Sequence, residues 1–424
     1  MITRRIGAGN WISKVTVFGA AMLSLSLYGA SAASTPAHKA IYRALHKFTG
    51  GDDGASSFAG LLRDPQGNLY GTTLAGGAFG YGVVFKLDSS GKETVLHTFA
   101  GAEGMWPAGP LIQDSAQNLY GTTTQGGTPE GGGCTHGCGT VFKIDKAGKY
   151  TVLYAFTGKT DGGNPADSLI RDTSGNLYGI TYSGGSTDCY LGCGVVFKLD
   201  RRGNETVLHS FSGGTDGWQP VGGLVQDRAG NLYGVTSYGG ASNWGTVFML
   251  DSTGQETILY NFTGGTDGGE PQSGGPLLPG EAGNLYGTAA VGGDPSASCA
   301  WGLKGCGVVF KLDTSGNETV LYAFTGGKDQ GTPNGGLLRD HAGNFYGTTG
   351  QIEHGCGGSG CGIIFKLSTN GTLHVLHTFR NSSGTEPFAG VITDTAGNLY
   401  GTTLQGGPEN CGGYGCGVVY KWSP

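Results

Sequence analysis

The chain has 424 residues, of which 87 are glycine and only 13% are charged, with 18 Phe and 19 Tyr. Glycine and proline together make up about a quarter of it, near the range where low-complexity chains stay disordered, but so many aromatic rings argue for a buried core. The formal net charge of −6 disfavours nucleic acid and anionic membranes as partners.

Arg4, Arg5 and Lys14 form a basic start, an apolar stretch runs from about Val15 to Leu27, and the small residues Ala30-Ser31-Ala32 follow. That is the layout of a secretory signal cleaved after Ala32, and the stretch is too short for a stable transmembrane anchor. The expected organisation is a signal peptide over 1–32, a short linker over 33–40 and one domain over 41–424. Cleavage takes the charge to about −9 by removing the three cations. A secreted or periplasmic protein without membrane insertion is expected.

The domain is organised by a repeat. Gly67-Asn68-Leu69-Tyr70-Gly71 recurs with its Asn at 68, 118, 176, 231, 284, 344 and 398, which is 330 residues in six steps, a mean spacing of 55. Each copy holds four strand-like pieces. In the first copy these are Leu61-Leu62-Arg63, the Asn-Leu-Tyr-Gly-Thr-Thr run, Val83-Val84-Phe85-Lys86-Leu87, and Glu93 to Phe99. Asp-x-x-Gly turns such as Asp64 to Gly67 and Asp88 to Gly91 join the first strand to the second and the third to the fourth, where Asp bonds local backbone and Gly takes a positive φ. A four-stranded meander of this size cannot bury both faces alone, whereas seven stacked around an axis can. The fourth-strand motif ends on Phe48, Phe99, Phe156, Phe211, Phe262, Phe324 and Phe379, so its first copy precedes the first complete repeat and the last repeat has none. The expectation is an all-β, seven-bladed β-propeller in which the N-terminal strand completes the last blade and closes the ring.

The Asn-Leu-Tyr-Gly-Thr-Thr, Gly-Gly and Gly-x-Val-Phe-Lys-Leu segments resemble the GloVer tandem repeats of bacterial surface proteins with varied C-terminal anchors, over nearly all of residues 41–424. The resemblance implies a bacterial exported propeller and brings no catalytic residues. The strand-like run ends at Pro424 with nothing resembling the sorting tail of anchored members, so covalent surface attachment is not expected.

A residue present in every blade reads as architecture, so sites are sought where blades differ. The second-strand Tyr and third-strand Phe are core. His46, His97, His209 and His377 share a slot with Tyr154, Tyr260 and Tyr322, which suits a partly exposed outer strand better than a catalytic base. Cys134/Cys138, Cys189/Cys193, Cys299/Cys306, Cys356/Cys361 and Cys411/Cys416 form five local pairs, read as disulfides stapling the loop between strands two and three. A metal site around His136, between Cys134 and Cys138, is the sharper alternative. Asp53, Asp161, Asp216, Asp267 and Asp329, with Glu103, recur between blades and read as turn formers rather than calcium ligands, one acid per loop being few for calcium. No cofactor or metal is expected, and no motif for nucleophilic catalysis stands out.

In a meander the Cys-bearing loops and the interblade loops share one face, where length varies and function concentrates. Trp106 and Trp218 follow interblade turns, Trp244 and Trp301 lie in loops between strands two and three, and Tyr81, Tyr190 and Tyr414 join them. These are the candidate ligand-binding residues of an aromatic platform for a glycan or surface protein; packing over glycine-rich loops is the competing role. Alternatives are an exported lyase or hydrolase acting on a polysaccharide-like substrate at the channel mouth, or a structural envelope or matrix component.

Overall fold

Short runs of β-branched and aromatic residues between Asp-x-x-Gly turns become strands. In blade 1 they are Leu62–Arg63, Leu69–Thr73, Val83–Leu87 and Glu93–Thr98, paired in that order as an antiparallel meander. Six further four-stranded sheets repeat it, giving a seven-bladed propeller. The computed structural model describes residues 40–424 apart from 128–133, 273–274, 298, 300–304, 351–360 and 408–410, and Ala40–Pro424 is one unit. The expected signal peptide and all but the last residue of the linker lie outside the described residues, as do Trp301 and Cys356. Among the described residues no helix is long and apolar enough to cross a membrane.

The ring closes as the strand offset implies. In blade 7, Ile392–Thr393, Leu399–Thr403 and Val418–Ser423 are followed in space by Ile41–Lys47, which pairs antiparallel with Val418–Ser423 in the register Tyr42 to Trp422 and Lys47 to Val418.

The turns explain the Asp and Asn of the repeat. Asp64 accepts hydrogen bonds from the Asn68 backbone N–H (2.8 Å), its side-chain amide (2.6 Å) and the Tyr70 hydroxyl (3.1 Å). The trio recurs at Asp114, Asp172, Asp227, Asp340 and Asp394. Blade 5 has Gly280 in the Asp place and closes instead with a short 3-10 turn over Glu281–Gly283.

Blades adhere through rings. The Phe that follows each outer strand meets the third-strand ring of the next blade: Phe48 with Phe85 at 5.2 Å, Phe99 with Phe142 at 5.5 Å, and so on round to Phe379 with Tyr420 at 5.1 Å. These rings are fully buried. The second-strand glycine is what makes room, since Gly71 is the cross-strand partner of Phe85 and a Cβ on it would lie 2.5 Å from that ring. A bulge at the fourth strand, between Val84 and Phe85 in register, recurs in every blade and strengthens its twist.

Phe48→Ala should therefore cost about 3–5 kcal/mol in chemical denaturation, as a core Phe does, and as much as Phe211→Ala does. Deleting Ala40–Thr49 should expose Val418–Ser423 as an unpaired edge, with aggregation and loss of cooperative melting. A Phe48→Ala variant as stable as the parent would contradict this closure.

Candidate functional site

The first strands line the axis: a Cβ on Gly60 would touch Pro110 of blade 2 and Ala389 of blade 7, and one on Gly336 would lie 3.1 Å from Gly275 Cα. The interblade loop lies against the loop between strands two and three of its own blade, through bridges such as Ala55 to Ala75 and Thr385 to Gln405. The two loop types thus share one face, and the point where each interblade loop enters the first strand is the rim of the central opening.

At that point every blade holds a non-glycine residue in the left-handed region: Ser56, Trp106, Asn164, Gln219, Glu270, Thr332 and Glu386, with φ between +46° and +59°. Each donates its backbone N–H to the preceding blade, for example Trp106 to the Tyr81 carbonyl at 3.0 Å and Glu270 to the Trp244 carbonyl at 2.9 Å. In six blades a proline follows and packs on the glycine that opens the preceding third strand; a Cβ on Gly82 would lie 3.1 Å from Pro107 Cδ. A side chain in this conformation costs about 1 kcal/mol or more, and glycine would remove the cost. Eleven described non-glycine residues have positive φ, and seven of them form this rim. A chain that uses glycine for most other positive-φ positions keeps side chains here.

The Asn164 and Thr332 side chains bond within the protein: the Asn164 amide donates to the Thr124 carbonyl (2.8 Å) and accepts from Ser183 (2.6 Å), and the Thr332 hydroxyl donates to the Gly350 carbonyl (2.7 Å). Around blades 3 to 5 the rim departs from the repeat. Trp218 and Tyr238 meet at 5.0 Å on the long first and second strands of blade 4, Trp218–Gln226 and Leu232–Tyr238. Tyr182 beside them is 40% exposed. Burial pushes the Tyr238 hydroxyl pKa up, and the Glu270 and Tyr182 charges push it further; burial also raises Glu270. This is a patch of flat rings with a polar edge.

The structure gives the other predicted aromatics distinct places. Tyr81 and Trp244 stand where the second Cys stands in the cysteine-bearing blades, directly before the third-strand glycine. The Trp244 ring lies on Gly264 and Gly269, and the Tyr81 ring covers Gly101, where a Cβ would lie 3.4 Å from it, as Cys189 and Cys193 cover Gly213. Trp106 is half-buried, 6.3 Å from the His136 ring, whereas Tyr190 and Tyr414 are 99% and 61% exposed within disulfide loops.

Cys134–Cys138, Cys189–Cys193, Cys299–Cys306 and Cys411–Cys416 are bonded as expected. The first of these bonds uses up both thiolates that a metal site at His136 would need. The fifth expected pair, Cys356 with Cys361, is not among the described bonds, because Cys356 lies outside the described residues. Its partner Cys361 keeps the place of the second cysteine. It is a buried, disulfide-bonded residue directly before the third-strand glycine, with its Sγ 3.8 Å from Asn381 Oδ1.

On the opposite, turn face, clefts of about 370, 410 and 470 Å³ repeat between blades 1 and 2, 2 and 3, and 3 and 4. Their repetition marks them as repeat geometry.

The His/Tyr slot of the outer strand faces the acid of the following interblade loop. Tyr154 donates to Asp161 (3.1 Å), Tyr260 to Asp267 (3.0 Å) and Tyr322 to Asp329 (3.0 Å), while His46, His97 and His209 face Asp53, Glu103 and Asp216 at 3.3–3.7 Å. A glutamate from the next outer strand completes several of these junctions. Burial, then the neighbouring aspartate, pushes Glu205 and Glu318 up to about 7. The folded state therefore keeps a proton that the unfolded chain releases at about pH 4.3, so this stability is fully present below that pH and is lost as pH rises toward 7. Glu205→Gln and Glu318→Gln should each raise the melting temperature more at pH 8 than at pH 5. An equal change at both pH values would contradict the shifts.

The sequence profile of the Gloeobacter/Verrucomicrobia repeat matches residues 26–134, 128–301 and 275–424. A comparison with curated proteins found no match. Among solved structures, the extracellular domain assigned to a one-component system of B. thetaiotaomicron is 12% identical with a TM-score of 0.53; the match covers 91% of this chain and 42% of that one. A protein of Bacteroides uniformis assigned as a 6-phosphogluconolactonase is 16% identical over 79% of this chain and 88% of its own, with a TM-score of 0.47. A gluconolactonase of Xanthomonas campestris is 15% identical over 73% and 87%, with a TM-score of 0.42. At such identities the likeness concerns the fold alone. With repeat matches running from residue 26 to the last residue, the chain belongs to the Gloeobacter/Verrucomicrobia repeat family.

Proposed function

We propose that this propeller is an exported binding protein that takes a neutral glycan on its loop face, at the rim patch of Tyr182, Trp218, Gln219, Tyr238 and Glu270. The observation that carries this reading is the rim of side chains held in a conformation that glycine would adopt more easily. Where that rim departs from the repeat, it gathers three aromatic rings and a carboxyl. Sugar rings offer flat C–H faces to such rings and hydroxyls to Gln219 and Glu270, and an acidic protein suits neutral rather than anionic glycans. Trp106, on the same rim, and the exposed Tyr190 and Tyr414 extend the contact surface. Tyr81 and Trp244 contribute mainly by holding the loops in place. The four described disulfides support an oxidising compartment, and with it export.

A glycan-array screen of the protein would identify the ligand class. Tyr182→Ala, Trp218→Ala and Trp106→Ala, made singly, should include at least one that weakens binding about 30-fold, or about 2 kcal/mol, while the melting temperature stays within a few degrees. Binding unchanged in all three would move the site elsewhere. Capture of a protein and no glycan would favour a surface-protein partner, and release of new sugar ends would favour the hydrolase or lyase.

A further inference from the structure

The outer junctions between blades carry a second, independent feature. Between blades 7 and 1, His46 Nε2 lies 3.3 Å from Asp53 Oδ2 and 3.9 Å from Glu93 Oε2. Between blades 3 and 4, His209 Nε2 lies 3.7 Å from Asp216 Oδ2 and 3.6 Å from Glu256 Oε1. In each set the three donor atoms lie within 4.8 Å of one another. The six side chains are only 12–18% exposed. Within them His46 Nε2, Glu93 Oε1, His209 Nε2 and Glu256 Oε1 are buried without a hydrogen-bond partner.

These separations are too long for good N–H···O hydrogen bonds. They do suit atoms sharing an ion, because ligands held about 2.1 Å from a tetrahedral zinc lie about 3.4 Å apart. One imidazole and two carboxylates also balance a divalent charge, and the imidazole favours zinc over magnesium or calcium. We propose that His46, Asp53 and Glu93 form one zinc site and His209, Asp216 and Glu256 a second, each with a fourth position for water.

The other junctions show why only these two qualify among the described residues. Tyr154 and Tyr260 fill the slot between blades 2 and 3 and blades 4 and 5, and donate to Asp161 and Asp267, leaving no nitrogen ligand. Tyr322 does the same to Asp329, and Leu373 stands in the Glu place of the next blade. His97 has Glu103, but Tyr150 replaces the third ligand and stacks on the imidazole at 3.8 Å. His377 is covered in the same way by Tyr42, at 4.1 Å. A complete set arises only where His, a loop acid and the next blade's Glu coincide. Each ion would tie an outer strand to the next blade, and the first site lies on the strand that closes the ring.

The test uses the full chain without a histidine tag, stripped with a chelator, reloaded with zinc chloride, dialysed and assayed for bound zinc by mass spectrometry, with calorimetric titration alongside. Two zinc ions per chain are expected, one in His46→Tyr, one in His209→Tyr and none in the double variant. Tyrosine is chosen because Tyr154, Tyr260 and Tyr322 occupy this slot and satisfy the loop acid. Glu93→Gln and Glu256→Gln should lower the count in the same way and serve as a second set if a tyrosine variant misfolds. Zinc should raise the melting temperature of the parent and leave that of the double variant unchanged. A parent that keeps no stoichiometric zinc, or a count untouched by these substitutions, would overturn the proposal.

Discussion

Each blade of this propeller is held to the next by an aromatic ring that it hands across the junction. The Phe after the outer strand reaches the third-strand ring of the following blade, seven times over, including Phe48, which comes from the N-terminal strand. Aromatic pairs of this kind, six edge-to-face and the Phe379–Tyr420 pair tilted, add about 0.5–1.5 kcal/mol each beyond the area they bury, and here they also fix spacing. The third-strand ring must lie across its own sheet to be met, so its cross-strand partner is glycine. The exception is instructive. Blade 7, where the two ends of the chain meet, has Tyr420 in the Phe place, with a hydroxyl that is buried without a partner and a pKa driven well above its usual value by that burial. The aromatic contact is kept even where the hydroxyl makes it costly.

With the blades so spaced, variation is confined to two layers. Around the axis, the left-handed rim residue ties its blade to the previous one through the backbone, which leaves its side chain free to differ: Ser, Trp, Asn, Gln, Glu, Thr and Glu in turn. On the outside, the His/Tyr slot, the loop acid and the next blade's Glu, Tyr or Leu meet in combinations that differ from junction to junction. Disulfides and aromatic rings exchange in a related way, since Tyr81 and Trp244 stand in for the second cysteine over the same interblade glycine. The scaffold is one repeat, and chemistry enters at positions where the backbone alone does the holding.

Much of this was legible in the sequence. The seven Asn-Leu-Tyr-Gly copies and the displaced first Phe imply the blade count and the closure, once each meander is required to bury both its faces. The four described cysteine pairs announced themselves by spacing. What stayed hidden depends on neighbours that are remote in the chain. The left-handed rim left a trace in the recurring x-Pro at Trp106-Pro107, Asn164-Pro165, Gln219-Pro220 and their counterparts. Proline, however, normally drives the preceding residue to extended backbone, so the trace pointed the wrong way. The outer-strand bulges have no signature in residue type. The sets at His46 and His209 join residues up to 47 positions apart from two different blades, and a reading one loop at a time sees a single acid in each. Tyr81 and Trp244 could have been recognised by aligning the repeats, because each directly precedes the same third-strand glycine as the cysteines do.

A circular permutant tests the closed ring most directly. An Asp-Ser-Ser-Gly-Lys turn, copied from residues 88–92, would join Trp422 to Tyr42 as it joins Leu87 to Glu93, and the chain would be reopened between Phe48 and Thr49. If the N-terminal strand is the fourth strand of blade 7, every blade is then built from contiguous chain. The permutant should melt in one transition at or above the temperature of the parent. A permutant that aggregates, or that melts in separate steps while the parent melts in one, would contradict the account.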